Sequence, residues 1–180
     1  MAPGQYDDDG EALIGLARQL ADAFEEARTP EDQEYAADAI DDFLSEHDDY
    51  APHEALIALL DLPMTKRIWR LIDSVETTLA ERGLPAVMPL LEAIAGRVYD
   101  RGGQTPARAL ETLDAMPPAI VIRGLVDVTA GAADDELKGA AVKVLVRTGQ
   151  PAVPTLEDAL RDPVARRWAE DALGDIRAAR

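Results

Sequence analysis

Pro52, Pro85, Pro118 and Pro151 stand 33 residues apart along the chain. A period of this length constrains the fold more than any composition does. Each repeat must be one supersecondary unit that buries its apolar face only by stacking on its neighbours. The surrounding residues repeat as well. The run from Gly83 to Leu91 (GLPAVMPLL) matches the run from Gly149 to Glu157 (GQPAVPTLE), and Met116-Pro117-Pro118-Ala119-Ile120 falls midway between them. Pro52, followed by His53-Glu54-Ala55-Leu56-Ile57, is the weakest member.

The motif describes a helix, a tight turn and a second helix. Gly83 and Gly149 are free to take the positive φ that ends a helix, and the proline after each suits the first turn of the next helix, where a missing N–H costs nothing. Upstream of each junction the apolar spacing is helical. Tyr35, Ala39, Ile40, Phe43 and Leu44 share a face of residues 30–47, and Ile68, Leu71, Ile72, Val75 and Leu79 share one of 65–82. Leu110 and Leu113 mark 106–115, and Leu137, Ala141, Val144 and Leu145 mark 135–148. Thr29-Pro30, Thr105-Pro106 and Asp162-Pro163 each place a capping side chain before a proline, so they read as helix starts. In each unit the helix before the turn is the A helix and the one after it the B helix.

Residues 83–178 resemble HEAT-like repeats of the short type also seen in phycobilin lyases. Gly149–Asp162 follows that family's P-A-V-P-x-L-x-x-A-L-x-D run. Asp162-Pro163-Val164-Ala165-Arg166-Arg167-Trp168-Ala169-Glu170-Asp171-Ala172-Leu173-Gly174 is similar to its D-P-x-V-R-x-x-A-A-x-A-L-G run. Residues 1–60 match poorly. The resemblance implies an all-α fold, an α-solenoid of about four to five helix pairs, and is almost silent on activity. The expected layout is a mobile acidic tail over 1–10, a capping or half-repeat helix over 11–27, a closing helix over 163–178, and one repeat domain spanning 11–180. In the strict register Arg123 falls on the buried slot held by Leu90 and Leu156. Sliding that repeat by one, with Pro117 as the entry proline, puts Ile122 inside and Arg123 at a polar position, which avoids a lone buried guanidinium.

Composition narrows the chemistry. The 32 alanines and 4% aromatic content call for close-packed aliphatic helices. There is no cysteine, so disulfides and thiolate chemistry are excluded. There are two serines, Ser45 and Ser74, three lysines, and no glycine-rich phosphate loop or nucleophile elbow. That argues against an enzyme, and no cofactor is expected. No apolar run approaches the roughly 18 residues of a membrane span, and the acidic start lacks the segments of a signal peptide. Together these imply a soluble, cytoplasmic protein. Of the net charge of −17, residues 1–60 carry −15 (17 acids, two bases) and residues 61–180 only −2 (18 acids, 16 bases). A field so lopsided repels phosphate backbones and attracts cations.

The candidate sites follow from these patterns. Ile120, Val121, Ile122, Leu125, Val126 and Val128 spread around most of one B helix, more apolar surface than a half-wet helix needs. Either neighbours cover it, or Val121, Ile122, Leu125 and Val128 join Met88 and Pro89 of the preceding B helix in an exposed groove that grips a partner. Asp38, Asp41, Asp42, Glu46, Asp48 and Asp49 would steer a basic segment of that partner. Glu46 to Glu54 holds both histidines. His47, Asp49 and His53 are the candidate metal ligands there, but their spacing matches no ligand motif, and a solvated turn is the plainer account. Trp69 and Trp168, three repeats apart, read as packing residues, although each has basic neighbours.

The function expected from the sequence is therefore a non-enzymatic protein–protein interaction module, its B-helix surface engaging a protein partner with a basic segment. Two alternatives stand beside it. One is an inhibitor or immunity-type protein whose acidic surface mimics a nucleic acid against a basic enzyme. The other, implied only by the resemblance, is an accessory subunit of a chromophore lyase or other modifying enzyme.

Overall fold

A computed structural model of the protein describes residues 5–47, 49–63, 65, 68–98, 103–130, 134–163 and 165–178. Among them there is no strand. The chain runs through α1 (Gln5–Glu26), α2 (Pro30–His47), α3 (His53–Leu59), α4 (Ile68–Arg82), α5 (Leu84–Ile94), α6 (Thr105–Ala115), α7 (Pro118–Ala130) and α8 (Asp135–Thr148). A 3-10 turn (Gln150–Ala152) then leads into α9 (Val153–Ala159) and α10 (Arg166–Ala178). The protein is all-α, as expected.

Helix ends follow their local chemistry. At the start of α2 the Asp32 N–H donates to Thr29 Oγ1 at 3.1 Å, and the Thr29 hydroxyl donates to Asp32 Oδ2 at 2.7 Å. Glu31 and Asp32 also place negative charge on the positive helix end. Gly83 and Gly149 have φ of +66° and +69°. Their ψ values, −132° and −129°, put them in the mirror-β region rather than the left-handed helical one, because the chain must swing straight into the next helix. Glycine occupies that region freely, whereas other residues are strained there by roughly 1–3 kcal/mol.

Two expected caps differ. Thr105 lies inside α6 and is buried. The helix is preceded by Gln104, whose N–H donates to Asp61 Oδ1 at 3.3 Å. Regular helix in α10 is set from Arg166 rather than 163, although the Arg166 N–H already donates to the Asp162 carbonyl at 2.9 Å. At the other end, α1 takes in residues 5–10 of the expected tail, and residues 1–4 lie outside the described residues.

The odd-numbered helices neighbour one another in turn, α1 on α3, α3 on α5, α5 on α7 and α7 on α9. On the other side α2 meets α4, α4 meets α6, and α8 meets α10. One aliphatic core runs between the two sets. Its centre is α3, buried at every residue from Ala55 to Leu60. The repeat that looked weakest in sequence is thus the most enclosed. In α2 the inner face is Ala36, Ala37, Ile40, Phe43 and Leu44. Tyr35, expected on that face, is 80% exposed, because the i, i+4, i+7 row through Ala36, Ile40 and Phe43 leaves it on the flank. α5 and α7 approach closely at Gly124, where a Cβ would stand 2.7 Å from Val87 Cγ1.

Candidate functional site

Burial decides the fate of the expected groove. Leu125 is fully buried, and Val121, Ile122 and Val128 are buried with it in the core between α7 and its neighbours. The exposed groove along Val121, Leu125 and Val128 does not form. The extra apolar surface of α7 is used because α5, α8 and α9 pack around it, as a helix apolar on most sides requires. Met88 is 41% exposed, and Pro89 half-buried. Arg123 points to solvent while Ile122 is buried, the arrangement of the slid register.

An opening remains beside that core. A cleft of about 550 Å³ lies between α7 and the start of the α9 unit, walled by Pro118, Ile122, Arg123, Val126, Asp127 and Pro151. Its lining is apolar along Ile122 and Val126, and the guanidinium of Arg123 and the carboxylate of Asp127 bring opposite charges to it. Such a surface is suited to gripping an amphipathic segment.

The acidic residues are on the surface. Asp38, Asp41, Asp42 and Glu46 are exposed along α2, and Asp49 is exposed in the turn after it; Asp48 lies outside the described residues. Asp38 and Asp41 face Arg70 and Leu71 of α4 across a shallow cleft. The histidines do not gather with Asp49 into a metal site, and among the described residues no group of three or more His, Asp or Glu is placed to hold a metal ion. The His47 ring lies 5.0 Å from Phe43 and stacks on Tyr50 at 5.4 Å. His53 is half-buried. Burial holds its imidazole below the ordinary value, the Arg82 charge pushes the same way, and Glu54 opposes them. Trp168 packs against the core with its indole Nε1 buried and without a hydrogen-bond partner among the described residues. Trp69, also expected to pack, is 47% exposed, with the Arg70 guanidinium 5.9 Å from its ring centre.

A polar cluster absent from the apolar reading sits between α4 and α6. Arg108 is only 3% exposed, and its Nη1 has no hydrogen-bond partner among the described residues. Burial lowers its pKa, while Glu76, Glu111 and Asp61 pull it back up. Burial raises the Glu76 carboxyl above its ordinary value, Glu111 and Asp73 add to this, and Arg108 opposes it. Thr105, Arg108 and Thr112 occupy the i, i+3, i+7 positions of the buried face of α6, and the Thr112 hydroxyl donates to the Arg108 carbonyl at 2.8 Å. Helical periodicity in polar residues was the available signal; a template restricted to apolar residues passes over it.

Arginines also link successive turns. Arg82, in the last turn of α4, donates from Nη1 to the Ala51 carbonyl at 2.5 Å. Arg147, in the last turn of α8, places Nε 2.7 Å and Nη2 2.6 Å from Asp114 Oδ2, one 33-residue period earlier. The Arg147–Asp114 pair was readable from the register, which puts Glu81, Asp114 and Arg147 at equivalent positions.

No family model, curated protein or solved structure matches the chain. Among the described residues no helix is long and apolar enough to cross a membrane.

Proposed function

We propose that the chain is a HEAT-like α-solenoid acting as a non-enzymatic protein-binding module, with the partner seated on the B-helix surface. The observation that carries this reading is the cleft between α7 and the α9 unit, about 550 Å³ and flanked by Arg123 and Asp127. The 33-residue period and the neighbour-to-neighbour packing support the solenoid. The exposed carboxylates of α2 favour a partner with a basic segment and speed its approach.

The test is affinity capture from lysate with a salt gradient, comparing the wild type with Val126→Lys and Arg123→Glu. A specific partner should survive high salt on the wild type and be lost from Val126→Lys. Equal retention by both proteins would overturn the B-surface reading. Leu125 is unsuitable for this test. It is wholly buried, so Leu125→Ala removes core contacts worth about 2–5 kcal/mol and disturbs folding before binding.

A nucleic-acid mimic is the second reading, favoured by the row of exposed carboxylates on α2. It requires all captured proteins to leave at modest salt, since exposed charges are screened within about a Debye length.

A further inference from the structure

A cleft of about 520 Å³ lies between the ends of α4 and α6, beside the turn at Gly83. Asp73, Glu76 and Glu81 contribute carboxylates to its lining, and Ala80, Pro117 and Ile120 contribute apolar surface; among the described residues no lysine or arginine lines it. We infer that this cleft is a receptor for an arginine side chain from a basic segment of a protein partner. The inference rests on reading the chain as a binding module, but not on the α7–α9 cleft.

In each gap neighbouring this cleft an arginine of the chain bonds across to the preceding unit. In the gap before it, Arg82 reaches back from the end of α4 to the Ala51 carbonyl. In the gap after it, a cleft of about 320 Å³ has Arg147 in its wall, bound through two nitrogens to Asp114. Among the described residues the middle gap has no such arginine of its own. The residues 33 positions after Glu81 and Arg82 are Asp114 and Ala115, and 33 positions further on stand Arg147 and Thr148, so the last turn of α6 lacks both the guanidinium that α4 carries at the Ala115 position and the one that α8 carries at the Asp114 position. Ala115 lines the cleft from the α6 side.

The electrostatics agree. Glu76 is half-buried and disfavoured as an anion there, with Glu111 and Asp73 adding repulsion. Among the described residues the buried Arg108 Nη1 has no hydrogen-bond partner, so Arg108 acts on Glu76 by its charge and leaves the carboxylate's hydrogen-bonding capacity open to a second guanidinium. A second guanidinium entering from solvent would lie flat between carboxylates, which its planar fork matches better than an ammonium does. Its methylene stem would cover Ala80, Pro117 and Ile120.

The full 180-residue chain, labelled with nitrogen-15, is titrated with N-acetyl-arginine amide and, separately, with the neutral isostere N-acetyl-citrulline amide. The expected result is saturable amide shifts confined to residues 73–83 and 115–120 with arginine and none with citrulline. Glu76→Gln and Glu81→Gln should each weaken binding several-fold. Ala115→Arg, which gives the middle gap the counterpart of Arg82 one period earlier, should abolish the shifts while raising Tm. Three results would each overturn the proposal: equal response to citrulline, shifts centred on Asp38, Asp41 and Asp42, or undiminished binding by Ala115→Arg. The dispersion of each spectrum reports whether a variant has folded. Equal partner retention by Val126→Lys with arginine shifts intact would mean failure of the B-surface reading alone, whereas loss of capture by Val126→Lys with no arginine shifts in the wild type would mean failure of this site alone.

Discussion

Gly124 and Val87 meet where α5 and α7 come closest, and a β-carbon on Gly124 would stand 2.7 Å from Val87 Cγ1 and 3.0 Å from its Cβ. No rotamer of Val87 relieves a clash at its own Cβ, so the two helices must separate. Gly124→Ala should therefore cost about 1–3 kcal/mol, the usual effect of overpacking a filled core, despite alanine's better helix propensity. Val87→Ala added to it should recover part of the loss. Urea unfolding of the four members of this cycle checks both statements, and additive losses would show that the contact is not the cause.

The start of α8 gives a second prediction. The Asp134 carboxylate accepts the Glu136 and Leu137 N–H groups, both at 3.1 Å, and pairs with Arg97. The Arg97 hydrogen bond, then that of Leu137, holds its pKa below the ordinary value. A depressed carboxylate contributes stability that is present above the usual carboxylate range and is lost as pH falls through its folded pKa. At pH 7, Tm should fall from wild type to Asp134→Asn, which keeps a cap but not the ion pair, and further to Asp134→Ala. In strong acid the wild type and Asp134→Asn should melt together.

His53 responds to acid in the same direction, in a higher pH window. Its folded pKa is lowered, so between that value and the ordinary 6.5 the unfolded chain binds the proton better. Stability contributed at this position should rise with pH through that window and level off above it. The difference in unfolding free energy between wild type and His53→Gln, measured from pH 4.5 to 7.5, should show that slope. A flat difference would mean that the imidazole does not feel its burial. Glu76 runs the other way at more acidic pH, because its raised pKa makes the folded state the better proton binder.

Charge and burial divide the acidic end of the chain. α2 carries exposed Asp38, Asp41, Asp42 and Glu46 and packs chiefly on α1 and α4, whereas α3 is enclosed by α1, α4 and α5. At low salt and neutral pH, amides of residues 30–47 should exchange early and those of 55–60 late, with added salt slowing the former. Uniform protection across both helices would contradict this.

Much of the architecture was legible in the sequence because proline and glycine mark it. Pro30, Asp135 and Gly149 bound α2 and α8 where the spacing predicts them, and Ile68, Ile72, Val75 and Leu79 form the buried row of α4. Two kinds of feature were hidden. One is tertiary cover: nothing in the composition of α7 tells whether its neighbours close over Val121 and Leu125 or leave them open. The other is the polar core. Asp61 is buried and accepts a backbone N–H from 43 residues away, and Arg108 fills a position that apolar periodicity does not count. The α4–α6 cleft depends on a comparison between repeats, since Ala115 is unremarkable until it is set beside Arg82, its counterpart one period earlier.

Every substantial helix–helix contact joins elements no more than three places apart along the chain. Tension applied at the two ends would then find no long-range tie to break first. The chain would yield from an end inward, one helix pair at a time. Each step would release a 33-residue unit and roughly 110 Å of extended polypeptide. Such a molecule behaves as a graded spring, whose length under load counts the pairs still closed.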